Sequence, residues 1–196
     1  MSYKKEIQNI LVEDIDDFSK KIKIIAVITS AIKENLNLTP VVVGGQAVEF
    51  YTGGGYSTMD VDIICEASIE RIANVIERLG FYRENKYWIL DSNIIDLAVE
   101  VPSGPLAGSR DKLMEVQAGE HTAYFIGAED IIIDRLNAYV YWNEKWQQEW
   151  IIGIIVNNYY DIDWEYLNKN ASQERVTDSL KNMVDKAEDI IKSIEE

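Results

Sequence analysis

The chain has 196 residues, 47% of them hydrophobic and 27% charged, which excludes a disordered or low-complexity protein and allows one well-buried domain. No apolar run reaches the roughly 20 residues of a membrane span, and the polar start Met1-Ser2-Tyr3-Lys4-Lys5-Glu6 predicts no signal peptide. A formal net charge of −15 argues against a nucleic-acid ligand unless a local basic patch exists; it suits divalent cations, a basic partner protein or polyamine-like small molecules.

From Asp14 to Asn35 the residues Ile15, Phe18, Ile22, Ile25, Ile28 and Ile32 recur at helical spacing. Asp14 is the expected N-cap, and Asn37 to Pro40 ends the helix. Val41-Val42-Val43 reads as a short buried strand broken by Gly44-Gly45. Gln46 to Thr52 reads as a short helix stopped by Gly53-Gly54-Gly55. A second strand covers Met59 to Cys65, and an amphipathic helix runs from Ser68 to Leu79, ending at Gly80. Cys65 is the single cysteine, so no internal disulfide forms, and a reducing cytoplasm is expected.

Lys86–Leu90 and Asn93–Val101 suggest a hairpin about Asp91-Ser92, with a loop over Pro102 to Arg110. Two short strands are expected near Leu113–Val116 and Thr122–Ile126. The lone His121 leaves no His/Cys cluster for zinc and reads as structural. From Gly127 the pattern is helical, over Ala128–Asn143, Glu144–Asn157, Asp163–Asn168 and Ser172–Ile194. Trp142, Trp146 and Trp150 form a stripe that reads first as packing and second as a protein interface. The outline is α+β: a mixed-sheet core with an N-terminal helix over residues 1–126, then a helical segment, 127–196, packed on it.

Three features between Gly44 and Asp96 carry chemistry. A strand ends in Gly44-Gly45 and enters a helix, so a phosphate can approach the backbone and meet free N–H groups at the positive dipole end. Asp60-Val61-Asp62 opens the next strand, and alternation sets both carboxylates on one face, about 6.5–7 Å apart, a reach that suits shared divalent cations. Asp96 stands within Ile94-Ile95-Asp96-Leu97-Ala98-Val99, where a buried carboxylate would need a pair or a metal. Glu100, two residues on, shares the Asp96 face and is either a ligand or a carboxylate at the sheet rim. Mg²⁺, or Mn²⁺, prefers such oxygen donors together with substrate phosphates.

Val43-Gly44-Gly45, a short helix, then Thr58-Met59-Asp60-Val61-Asp62-Ile63-Ile64 resembles the signature of the nucleotidyltransferase superfamily of the DNA polymerase beta type. Ile95-Asp96-Leu97 resembles the family's third acidic strand. Glu129-Asp130-Ile131-Ile132 through Arg135-Leu136-Asn137-Ala138 resembles the helix that follows the catalytic core in small bacterial and archaeal members, including toxin–antitoxin and phage-defence ones. The resemblance covers about residues 40 to 140. Asp14-Ile15-Asp16 and Asp161-Ile162-Asp163 also have the Asp-x-Asp form, but lack the glycine-led strand and helix upstream.

The resemblance implies a metal-dependent enzyme that moves a nucleoside monophosphate from an NTP to a hydroxyl on a protein, small molecule or RNA end, releasing pyrophosphate. It implies Asp60, Asp62 and Asp96 as metal-binding and catalytic residues, and Gly44, Gly45, Thr58 and Arg135 at the nucleotide. One departure stands out: relatives often carry arginine where this chain has Tyr56, which leaves Arg110, Lys112 or Arg135 to supply the charge. The alternative is a catalytically weak binding module on the same fold, such as an antitoxin.

Overall fold

A computed structural model describes residues 2–195, and the statements below refer to these. The helical pattern expected over residues 14–35 is α2 (Asp17–Leu36), and a further helix, α1 (Tyr3–Leu11), precedes it. The N-cap of α2 is Asp16, not Asp14; its Oδ1 accepts from the Ser19 N–H at 2.9 Å, satisfying a first-turn donor. Asn37 closes α2 in the left-handed conformation, its N–H returning to the Lys33 carbonyl at 2.8 Å.

β1 (Val41–Val43), α3 (Gly44–Tyr51), β2 (Asp60–Ile64) and α4 (Ile69–Arg78) follow the expected order. The next region departs from expectation. β3 (Phe81–Glu84), which was not expected, pairs with β4 (Tyr87–Leu90) about Asn85-Lys86, while the expected antiparallel pair of β4 with the following strand forms through a longer connection in place of a tight turn at Asp91-Ser92. β5 is only Ala98–Glu100, and it pairs antiparallel with β4 after an irregular 91–97 segment. β6 (Met114–Ala118) and β7 (His121–Phe125) form the last hairpin.

The strands make one mixed seven-stranded sheet in the order β3-β4-β5-β2-β1-β7-β6. β1 runs antiparallel to β2 and parallel to β7, while β2 runs parallel to β5. α2 lies across β7 and β6 and packs on α1 and α4, covering one face. α5 (Ala128–Tyr141), α6 (Gln147–Asn158), α7 (Trp164–Gln173) and α8 (Thr177–Glu195) form a helical group that reaches the sheet domain through α3. One apolar cluster joins both parts: Ile24, Ile28 and Val61 on the sheet side, Ile132, Leu136 and Ile155 on the helical side, all at most 1% exposed. Each such side chain contributes about 1.5–3 kcal/mol by leaving water.

No helix is long and apolar enough to cross a membrane. His121 is structural as expected, its Nε2 lying 2.8 Å from Glu6 Oε1 between β7 and α1. The tryptophan stripe is not continuous. Asn143, at a φ of 58°, breaks the helix, so Trp142 ends α5, Trp146 precedes α6, and only Trp150 is helical, packed edge-on against Tyr56 at 4.7 Å.

Candidate active site

β1 enters α3 through Gly44, whose φ of 64° lies in the left-handed region. A side chain at this position would collide with Oδ2 of Asp62. Glycine is therefore required twice over, for its backbone angle and for its contact with the carboxylate. Gly45 lies beneath Tyr56 and Thr58: a Cβ there would be 3.3 Å from the Tyr56 ring and 3.4 Å from Thr58 Oγ1. No side chain caps α3, so its first N–H groups remain for another acceptor.

The register of the sheet assembles the acidic groups. Val43 faces Asp62 across β1 and β2, and the parallel β2–β5 pair sets Asp60 beside Ala98 and Asp62 beside Glu100. Registered neighbours in adjacent strands share a face, so Asp60, Asp62 and Glu100 project together. Asp62 is half-buried, and its carboxyl is pushed up to about 6, first by desolvation, then by the charges of Glu100 and Asp60.

Asp96 precedes β5 and alternates with the buried Ile95 and Leu97, which turns it, exposed, to the side of Ala98 and Glu100, the side that carries Asp60 and Asp62. The expectation of a carboxylate held within an apolar strand is thus corrected: the apolar neighbours are buried because they alternate with Asp96, not because they surround it.

Two cations oppose the acidic charge at Asp62, Lys86 and Arg135. Arg135 projects from α5, its Nε donating to Asp134 Oδ2 at 2.9 Å and its Nη2 meeting the same oxygen. Lys86, in the β3–β4 turn, holds Glu100 with Nζ 2.9 Å from Oε1 and 2.8 Å from Oε2. The other basic candidates are engaged elsewhere. Arg110 donates to Glu66 Oε1 at 3.0 Å and to the Thr39 carbonyl at 3.2 Å, beyond the far end of β2. Lys112 pairs with Asp163 at 2.5 Å.

A buried ion pair sets the entrance to β2. Lys21 Nζ lies 2.6 and 2.8 Å from the two Glu49 oxygens, and it also donates to the Thr58 carbonyl at 2.9 Å. Glu49 Oε2 accepts from the Thr58 N–H at 3.3 Å, so both backbone groups of Thr58 are held. Thr58 Oγ1 in turn accepts from the Asp60 N–H at 3.2 Å. Neither Lys21 nor Glu49 was singled out in the sequence; their i, i+28 separation has no local signature.

The donor set fits a divalent cation. Three carboxylates on neighbouring strands supply hard oxygen ligands, and a cation would favour the ionised form of Asp62, which burial first and the charges of Glu100 and Asp60 second disfavour. Among the described residues no three His, Cys, Asp or Glu side chains stand close enough to hold a metal ion together.

Ile64 continues the face of Asp60 and Asp62, and Gly104 lies over it, so the segment after β5 crosses this same face. A cleft of about 400 Å³ opens between that segment, α5 and α7, lined by Asp130, Asp134, Tyr166, Asn170 and Glu174. A second, of about 600 Å³, lies at the other end of β2, about Cys65 and the 101–105 segment. The carboxylates lie outside both, on open sheet surface.

Comparison with curated proteins finds no match. Two solved structures share the fold. ANT(2")-Ia, solved in complex with adenylyl-2"-tobramycin, aligns with a TM-score of 0.52 at 18% identity, over 79% of this chain and 97% of that one. An antigenic nucleotidyltransferase-like protein from Paracoccidioides brasiliensis aligns with a TM-score of 0.54 at 13% identity, over 87% of this chain and 93% of that one. Residues 19–193 match the model of a family described as nucleotidyltransferase of unknown function (DUF6036), and the chain belongs to that family.

Proposed function

We propose that the protein transfers a nucleoside monophosphate from a metal–NTP complex to a hydroxyl acceptor, releasing pyrophosphate. Asp60, Asp62 and Glu100 would hold Mg²⁺ or Mn²⁺, with Asp96, on the same alternating face, as the other candidate for the third ligand. The observation that carries this reading is the contact of the Gly44 turn with Asp62, which sets a phosphate-binding helix start against paired carboxylates. A cation bound there would offset triphosphate charge and raise the acidity of the attacking hydroxyl.

The chain's own groups do the rest. The N–H groups of Gly44 and Gly45 face anionic oxygen, Thr58 fixes Asp60, and Arg135 brings positive charge from α5 where relatives use an arginine at the Tyr56 position. Tyr56 is committed to packing on Trp150. The acceptor best supported is a cationic, hydroxyl-bearing small molecule: the cleft between the 107–109 segment, α5 and α7 is lined by Asp130, Asp134 and Glu174, and the chain carries a net charge of −15. The single buried cysteine accords with a cytoplasmic setting.

Incubation with α-labelled NTPs, Mg²⁺ and polyamine or aminoglycoside acceptors tests this directly, with label expected on the acceptor and pyrophosphate released. Failure to transfer label from any NTP to any component of the native lysate, together with normal binding of a partner protein, would instead identify a binding module, the reading that the loss of a basic group at Tyr56 favours. Arg135→Ala is expected to weaken nucleotide affinity about tenfold, the loss of one charged contact, with an unchanged melting temperature because Arg135 pairs only at the rim with Asp134. Unchanged affinity would remove Arg135 from the site.

A further inference from the structure

Lys86 is the residue at this site that no motif announces. It occupies the second position of a two-residue turn, after Asn85 at a φ of 57°, between the paired residues Glu84 and Tyr87. The pairing of Tyr87 with Glu100 then places the ammonium on the one carboxylate that flanks Asp62. The side chain is 62% exposed, and its other neighbour is the Tyr87 ring, 4.8 Å away. Such an exposed pair forms and breaks easily.

We propose that Lys86 is a tethered counter-ion: it neutralises Glu100 while the site is empty, yields that carboxylate when a divalent cation arrives, and then pairs with the triphosphate that the cation brings. The inference rests on the reading of Asp60, Asp62 and Glu100 as cation ligands. Three carboxylates without a cation repel one another, and a lysine on a four-carbon flexible stem can serve two anions in turn. The turn backbone is fixed by flanking strand pairs, so the side chain alone makes the exchange. Lys86 acts as a positioning residue for the empty site and as a phosphate ligand in the loaded one.

Two opposite effects follow from removing it. Lys86→Met keeps length and drops charge. By calorimetry the variant is expected to bind Mn²⁺ alone roughly tenfold tighter, because nothing competes for Glu100, and Mn²⁺–tripolyphosphate roughly tenfold weaker, because one charged contact is lost. Lys86→Arg is expected to remain close to wild type for Mn²⁺ alone. Inorganic tripolyphosphate serves as a probe independent of the base. A merely structural lysine would move both affinities the same way or neither, and either result overturns the proposal. Wild-type protein that shows no Mn²⁺-dependent binding overturns the cation reading and this inference with it; Mn²⁺-dependent binding that Lys86→Met leaves unaltered overturns the inference alone.

Discussion

Asp62→Asn is expected to abolish about 99.9% of turnover and yet to stabilise the cation-free protein at neutral pH. The kinetic loss follows from removing a cation ligand beside the Gly44 turn: about 4 kcal/mol of transition-state stabilisation is a thousandfold in rate. The stability gain follows from the raised carboxyl of Asp62, about 6 in the fold against an ordinary value of 3.8. Below about pH 4 the group is protonated in both folded and unfolded chains and costs nothing. As pH rises through about 6 the folded protein must ionise a carboxyl that burial, Glu100 and Asp60 all disfavour, so stability is lost. After allowance for its partial exposure the penalty at pH 7 is about 1–2 kcal/mol, or about 3–6 °C in melting temperature for a chain of this size. Melting in chelator should therefore show asparagine more stable than aspartate at pH 7, with the difference shrinking toward pH 4. Added Mg²⁺ should stabilise the wild type and not the variant. A variant less stable than wild type at pH 7 would mean that Asp62 is held by a favourable partner, contrary to this account.

Lys21→Met has the largest expected effect on folding. It leaves Glu49, 2% exposed, without the ammonium that meets both its oxygens. Breaking a buried pair from one side costs about 3–5 kcal/mol, which is about 10 °C or more by thermal denaturation. The double variant Lys21→Met/Glu49→Leu should recover most of that loss, since it removes the orphaned charge together with its partner. It should not recover turnover, because the N–H and carbonyl of Thr58 lose their anchors and Asp60 its fixed approach. Full activity in a stable double variant would show that the clamp serves stability alone.

The sequence made the Gly44-Gly45 turn and the Asp60–Asp62 strand legible because both are local. A glycine pair between an apolar strand and a helix, and two carboxylates at i, i+2, announce their geometry within a few residues. What escaped depends on pairing between distant segments. Lys86 reaches the site only because β4 sets Tyr87 opposite Glu100, and Lys21 only because the fold brings its end of α2 to Glu49 of α3.

The burial expected at Asp96 failed for a physical reason. Flanking aliphatic residues suggested burial, yet Ile95 and Leu97 point inward at 6% and 2% exposure, which turns the residue between them outward. Glu100 was visible as a possible ligand on the same alternating face, and only the register with Asp62 favours it. α1 escaped because only Ile7, Ile10 and Leu11 of its nine residues are buried, too short an apolar stripe to stand out. β3 was hidden because only Phe81 of its four residues is buried.

The most direct test of the central claim is one calorimetric series with Mg²⁺ and a non-hydrolysable NTP, run on wild type, Asp60→Asn, Glu100→Gln and Asp96→Asn. Cation and nucleotide should each strengthen binding of the other, by at least about tenfold, because phosphates complete the coordination shell. Asp60→Asn and Glu100→Gln should lose that coupling, while Asp96→Asn keeps it. Nucleotide affinity unchanged in excess chelator would contradict the cation-bridged site, and coupling lost in Asp96→Asn but kept in Glu100→Gln would contradict the assignment of Glu100.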